Sequence, residues 1–187
     1  VFPTLDFGED MIRLLKCSWF SDVEFEVIAD SHSVEGEAAN LKAEYVRVKA
    51  HKSILIARSE RFKALLLGGM SESTQGTKPI VLHGIRESVF KALLIYLYSD
   101  NLLTEIRNDY QLIMELYVAA NEYTLSRLIR LCEGILLNLL QIENAAEFLE
   151  FAQEYGMADT ISNQRDTSQK VVNCFRRQCR VCLEYED

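Results

Sequence analysis

Residues 20–29 read Phe-Ser-Asp-Val-Glu-Phe-Glu-Val-Ile-Ala, and their alternation fixes the first strand. Val23, Phe25 and Val27 fall on one side and Glu24 and Glu26 on the other. A strand with one face in a core and one in water has this period of two. Upstream, residues 6–18 predict a short amphipathic helix: Asp6 and Glu9 stand at capping-box spacing, and Phe7, Met11, Leu14 and Leu15 share a face. No following stretch obviously belongs to the same core, so this helix is expected to be an appendage that packs on something else. Downstream, residues 31–44 are polar, rich in Ala, Glu and Ser, and without periodicity. The commonest hairpin loops have about two to five residues, so this excursion reads as an insertion or a mobile flap before a second strand at 45–49.

Beyond it the pattern turns helical. Residues 51–58 and 60–67 predict two short helices with Ile54, Leu55, Phe62, Leu65 and Leu66 as core candidates, and Gly68 and Gly69 stop the second. Lys-Pro-Ile-Val-Leu-His at 78–83 predicts a third strand. Residues 86–98 follow as a helix, with Phe90, Leu93, Leu94, Leu97 and Tyr98 recurring at i, i+3, i+4, i+7 and i+8. A helical pair at 109–123 and 125–140 comes next. Its second member carries Leu125, Leu128, Ile129, Cys132, Ile135, Leu136 and Leu139 on one stripe. A last helix at 144–156 (Ala145, Phe148, Leu149, Ala152, Tyr155) is closed by Gly156, and 159–169 is polar and aperiodic. Strand pair, helices, strand and a run of helices make an α+β class: a small β-sheet flanked by a predominantly helical body, with extra C-terminal helices.

The bulk numbers bound the function. With 187 residues, against roughly 150 per domain, the chain holds one domain, or one plus a fragment. Hydrophobic residues at 49% and charged residues at 26% are those of a globular protein and exclude disorder, collagen and a disulfide scaffold. Twenty basic against 28 acidic residues leave a net charge of −8, which favours neither nucleic acid nor an anionic membrane as a partner. The five cysteines (Cys17, Cys132, Cys174, Cys179, Cys182) are odd in number and follow no signal peptide, so reduced thiols and an intracellular setting, cytoplasm and/or nucleus, are expected. The longest apolar run, Leu93 to Tyr98, is too short to cross a bilayer. Opening at Val1 without an initiator methionine, the chain is expected to be cut from something longer.

No catalytic, cofactor-binding or metal-binding residue is assigned. Gly68-Gly69 precedes no Lys-Ser/Thr signature and reads as a helix stop, and no GxSxG, HExxH or paired-Asp metal loop occurs. His32, His51 and His83 have no ligand spacing between them; His51 is expected to cap or pack its helix. Cys174, Cys179 and Cys182 form C-x4-C-x2-C without a matching second pair. Arg176, Arg177 and Arg180 between them read as a solvated face. The chain is therefore not expected to be an enzyme.

A set of ordered segments carries a resemblance. Phe20-Ser21-Asp22-Val23 is followed, after the insertion, by the run Ala50 to Ser59 (AHKSILIARS), then Phe62-Lys63-Ala64-Leu65-Leu66 and Gly69-Met70-Ser71-Glu72-Ser73. Ile80-Val81-Leu82, Phe90 to Ser99 (FKALLIYLYS), Ala119 to Tyr123 (AANEY) and Leu131-Cys132-Glu133 come next, in order. Together they resemble a BTB/POZ domain over residues 7–140, with 30–44 as an insertion between the first two strands. Residues 141–158 resemble the 3-box helix that opens the BACK region, and 159–187 a partial or diverged BACK-like tail.

The resemblance implies a homodimeric, non-catalytic protein–protein interaction module. In the family the N-terminal helix packs on its partner, which implies a dimer interface with Met11, Leu14 and Leu15. An acid and a base in a charged pocket at that interface correspond to Asp22 and Lys52; the alternative is a solvated aspartate and a surface lysine. Family adaptors that recruit cullin-3 carry a hydrophobic-x-Glu motif, which Met70 and Glu72 match. Tyr98 matches a tyrosine of the same surface, extended by the 3-box with Phe148, Leu149 and Ala152. The implied partner is the cullin-3 N-terminal domain, within a ubiquitin ligase whose substrate is held by a domain outside this chain. The competing reading is a homodimeric scaffold that recruits a transcriptional corepressor or another protein, with Met70 plugging a loop, Glu72 solvated and Tyr98 in the core.

Overall fold

The structure, a computed structural model, describes residues 7–30, 44–68, 79–141 and 144–155. The elements follow in the order α1 (Phe7–Cys17), β1 (Val23–Ile28), β2 (Tyr45–Ala50), α2 (Lys52–Arg58), α3 (Glu60–Leu67) and β3 (Ile80–Arg86), then α4 (Glu87–Ser99), a 3-10 turn (Glu105–Asn108), α5 (Tyr110–Glu122), α6 (Ser126–Leu139) and α7 (Ala145–Glu154). The class is α+β, as the order of elements predicts. Two compact units divide the chain, Val1–Ile129 and Arg130–Asp187.

In the first unit the sheet has the order β2-β1-β3, so β1 is its centre. The alternation read from the sequence is realised: Val23, Phe25 and Val27 are buried, and Glu24 and Glu26 are partly exposed. β2 pairs antiparallel with β1 in a register that sets Val48 and Val46 beside Phe25 and Val27, and Lys49 and Arg47 beside Glu24 and Glu26. Cross-strand ion pairs follow, Arg47 Nε to Glu26 at 3.0 Å and Lys49 Nζ to Glu24 at 3.5 Å. β3 joins β1 in parallel, and its register slips: Glu26 faces Val81 but Ile28 faces Arg86. The extra residues form a bulge that holds Gly84 at φ 80°, where a side chain is strained. The third strand therefore runs on past His83, the end expected from its apolar run, because the chain returns to β1 after the bulge.

Phe25 anchors the core. Phe62 of α3 and Phe90 of α4 meet it edge-on, with ring centroids 5.8 and 5.2 Å away. α4 is buried on nearly every side through Val89, Phe90, Ala92, Leu93, Leu94, Tyr96, Leu97 and Tyr98, as a helix with so broad an apolar surface must be, and the Glu87–Lys91 stripe reaches solvent. Leu55, Phe62 and Leu66 join this core, whereas Ile54 and Leu65 are only half-buried. Ser59 separates α2 from α3: its hydroxyl accepts from Phe62 N at 3.4 Å and donates to the Tyr123 carbonyl at 3.2 Å. The rings of Phe62 and Tyr123 stack at 4.6 Å. At the end of α4, Asp100 adopts the left-handed conformation (φ 60°) and receives Arg58 Nη2 and Arg127 Nη1, each at 2.5 Å. One carboxylate thus ties α2, α4 and the start of α6.

α1 differs from the expected appendage, because it lies along α4 of its own chain. No residue of it is buried. Met11, Ile12, Leu14 and Leu15 are half-covered, while Phe7, at the first position of the helix, is 73% exposed. In the second unit, Cys132 and Leu136 of α6 and Phe148 and Ala152 of α7 are buried. Asn144 closes the turn before α7, its side chain accepting from Gln141 N (2.8 Å) and donating to the Leu139 carbonyl (3.0 Å).

Candidate interaction surface

An aspartate flanks each end of β1, and each serves a helix N-terminus. Asp22 Oδ1 accepts from the backbone N–H of Lys52, the first residue of α2, at 2.7 Å. Asp22 and Lys52 are thus brought together, but through the lysine's backbone. The reason lies at the N-cap, where His51 offers no capping oxygen and a carboxylate from outside satisfies the orphan donor. Asp30 does the same for α4, its Oδ1 accepting from Ser88 N at 3.2 Å and Ser88 Oγ at 3.0 Å, where Arg86 supplies no cap. Asp30 escaped the sequence reading. Its signal was indirect: a helix starting behind an arginine has to find its carboxylate elsewhere.

His51 packs rather than caps. Its Nε2 lies 2.6 Å from the Trp19 carbonyl and its Nδ1 2.7 Å from the Tyr98 hydroxyl, while its backbone N–H donates to that hydroxyl at 2.8 Å. A carbonyl can only accept, so the ring proton sits on Nε2, and Nδ1 accepts the Tyr98 O–H. Every polar atom of this buried cluster is satisfied. Burial, reinforced by the Asp22 charge and opposed by the bond from His51 N, pushes the Tyr98 hydroxyl up to about 12. Tyr98 is 4% exposed, and its hydroxyl is fully engaged inside the chain.

The same cluster fixes the link between α1 and β1, and it does so with the aromatic side chains outward. Trp19 is 59% and Phe20 96% exposed. Ser18 (φ 52°) and Phe20 (φ 58°) hold left-handed backbone, a conformation that costs about 1 kcal/mol or more in a residue other than glycine. Trp19 falls between the expected helix and strand and is not singled out by the sequence, and Phe20 reads as the first residue of the strand, which in the structure begins only at Val23.

Met11, Leu14 and Leu15 form the half-covered face of α1 described above. Met70 and Glu72 lie outside the described residues, as do His32 and Cys174, Cys179 and Cys182. Phe148 and Ala152 face inward on α7, and Leu149 belongs to the same helix. His83 is exposed on β3. Among the described residues no group of three His, Cys, Asp or Glu side chains is placed to hold a metal ion, and no helix is long and apolar enough to cross a membrane. The arrangement offers surfaces positioned by a closed hydrogen-bond network.

A family model, the BTB/POZ domain, matches residues 39–140, more than half of the chain. BTB/POZ domain-containing protein 9 of Drosophila melanogaster is 33% identical over 153 residues, covering 82% of this chain and 18% of that protein. BTB/POZ and MATH domain-containing proteins 3 and 6 of Arabidopsis thaliana are 30% and 26% identical, covering 83% and 84% of this chain and 36% and 37% of theirs. The chain therefore spans well under half the length of these relatives. Among solved structures, the BTB domain of zebrafish PATZ1 is 20% identical with a TM-score of 0.47, covering 68% of this chain and 86% of that one.

Proposed function

The chain belongs to the BTB/POZ domain family, whose members are generally protein–protein interaction modules, and we propose that it is the cullin-3-binding adaptor part of a ubiquitin ligase substrate receptor. The observation that carries this reading is Met70-Ser71-Glu72, shortly after α3, in a member of this family. A flexible apolar side chain two residues before a carboxylate suits an anchor entering a groove, with the carboxylate hydrogen-bonding partner N–H groups beside it. Tyr98 enters as a positioning residue: with its hydroxyl taken by His51, its part is to fix the end of α4. In the helix that resembles a 3-box, Leu149 serves the same partner, while Phe148 and Ala152 are buried and act by holding that helix in place.

The module acts as a homodimer without a catalytic step. Met11, Leu14 and Leu15 of α1, together with the Asp22–Lys52 corner, contribute the dimer interface. A domain outside this chain holds the substrate, and the working place is intracellular. Binding is tested by titration against the N-terminal domain of cullin-3. Sub-micromolar affinity is expected, weakening by ~1–3 kcal/mol for Met70→Ala and for Glu72→Ala. A chain that does not bind cullin-3 is instead a scaffold recruiting a corepressor or another protein. A monomeric mass in light scattering argues against both.

A further inference from the structure

β2 leaves one side of the sheet open. It is an edge strand, and the bond from Ala29 N to the Glu44 carbonyl (2.9 Å) marks those two residues as a hydrogen-bonded pair. Such pairs alternate along an antiparallel ladder. In the observed register, Val46 and Val48 therefore bond towards β1, and the backbone groups of Tyr45, Arg47 and Lys49 point away from it. Among the described residues no hydrogen bond reaches that outer row.

The open edge forms one wall of a groove of about 550 Å³ whose other walls come from α1 and α4. Leu15 and Ile95, both partly exposed, give it an apolar floor beside Val46, over the buried Leu94 and Val48. Its rim is cationic: Lys16, Arg47, Lys49 and Lys91 surround a single lining carboxylate, Glu87, which pairs with Lys91. In a chain of net charge −8, that local excess of cations is conspicuous.

β1 shows what such an edge accepts. On β2's inner side, Glu24 and Glu26 meet Lys49 and Arg47 while the apolar residues between them turn to the core. Arg47 gives only its Nε to Glu26, and both cations are more than half exposed, at 63% and 51%. Exposed pairs of this kind are worth about 0–1 kcal/mol, so each cation can be shared with a second carboxylate arriving from the outer side.

We propose that the β2 edge binds an extended acidic segment of a partner protein, which adds antiparallel as a fourth strand. Its carboxylates stand beside Arg47 and Lys49, and the apolar side chains between them enter the groove. Main-chain hydrogen bonds supply affinity, and the alternating side chains supply selectivity.

The test is fluorescence anisotropy of the chain with a labelled peptide alternating valine and glutamate. Saturable binding is expected, together with slowed hydrogen exchange at the amides of Arg47 and Lys49. In the proposed register the glutamate N–H groups face β2. N-methylation at the glutamates abolishes binding, whereas N-methylation at the valines leaves it intact, and a valine–lysine peptide does not bind. Arg47→Thr with Lys49→Thr weakens binding about tenfold. The proposal is overturned by absent binding, by equal loss in both N-methylated peptides, or by unchanged affinity of the folded double variant. It is equally overturned if the two amides become protected in the chain alone as its concentration rises, because a second copy then occupies the edge. Should the double variant not fold, the two N-methylated peptides still decide on the unmutated chain.

Discussion

α4 and α1 lie along one another and are held in opposite ways. α4 is buried almost continuously from Val89 to Tyr98, whereas α1 has no buried residue and keeps its apolar face half-covered. Both carry enough hydrophobic side chains to form a helix that docks. What separates them is how those side chains are spread. α4 is apolar on every side but a narrow Glu87–Lys91 stripe and sits in the interior, while α1 has a single apolar stripe that satisfies itself on a flank. The lesson is that α4 takes its stability from this chain's own packing, and α1 has contact area to spare for another molecule.

Substitutions can break that contrast, and the largest effect belongs to α4. Phe90 is fully buried against Phe25, so Phe90→Ala should cost about 3–5 kcal/mol in urea unfolding. A loss near that of a surface site would mean that α4 is not the core helix described. Tyr98→Phe comes next. It leaves His51 N and Nδ1 without their partner, a loss of about 1–3 kcal/mol read in the same measurement.

Alkaline pH sharpens the same point. Tyr98 is raised from 10.0 to about 12, so between these values the unfolded chain has lost a proton that the folded chain keeps. The stabilisation is complete below pH 10 and disappears as the pH rises towards 12. Tyr123, raised from 10.0, and Cys132, raised from 9.0, each to about 12 by burial, add to the decline. Stability should therefore fall over that window, less steeply in Tyr98→Phe, and equal slopes would remove Tyr98 from the account.

Smaller effects belong to the ends of β1. Asp22→Ala and Asp30→Ala each remove a cap supplied from outside its helix and should cost about 1 kcal/mol in thermal or urea unfolding. Smallest is Leu14→Ala in α1, at about 0.5 kcal/mol in dilute solution. Its proper readout is the mass in light scattering, where the proposed dimer should dissociate at a higher concentration than the unmutated chain. A loss in unfolding as large as that of Phe90→Ala would erase the difference between the two helices.

Most elements were legible because they obey local rules. The alternation of residues 23–27 shows a half-buried strand, and the spacing of Phe90, Leu93, Leu94 and Leu97 shows a helix. The break at Ser59 coincides with its own capping bond. The missing parts depend on residues far apart in sequence. The parallel seat of β3 beside β1, and the bulge that carries it to Arg86, follow from pairing rather than from any local pattern. Asp22 could be placed near Lys52 only through a family resemblance, which named a charged pocket and not a bond to the backbone amide. Tyr98 is legible as an apolar position on its helix and, through the resemblance, as a residue of the cullin surface, but its engagement with His51 links residues 47 apart. Trp19 and Phe20 defeat the hydropathy rule, since a bond to the Trp19 carbonyl fixes their backbone while their rings stay in solvent.

Cys132, buried in α6, also makes the chain a clock for its own opening. A thiol pushed up to about 12 carries almost no thiolate at neutral pH, and burial shields it from reagents, so alkylation has to wait until the helix exposes it. Cys17, at the exposed end of α1, has no such wait. The ratio of the two labelling rates, read peptide by peptide in a mass spectrometer, measures how seldom the interior of α6 meets water.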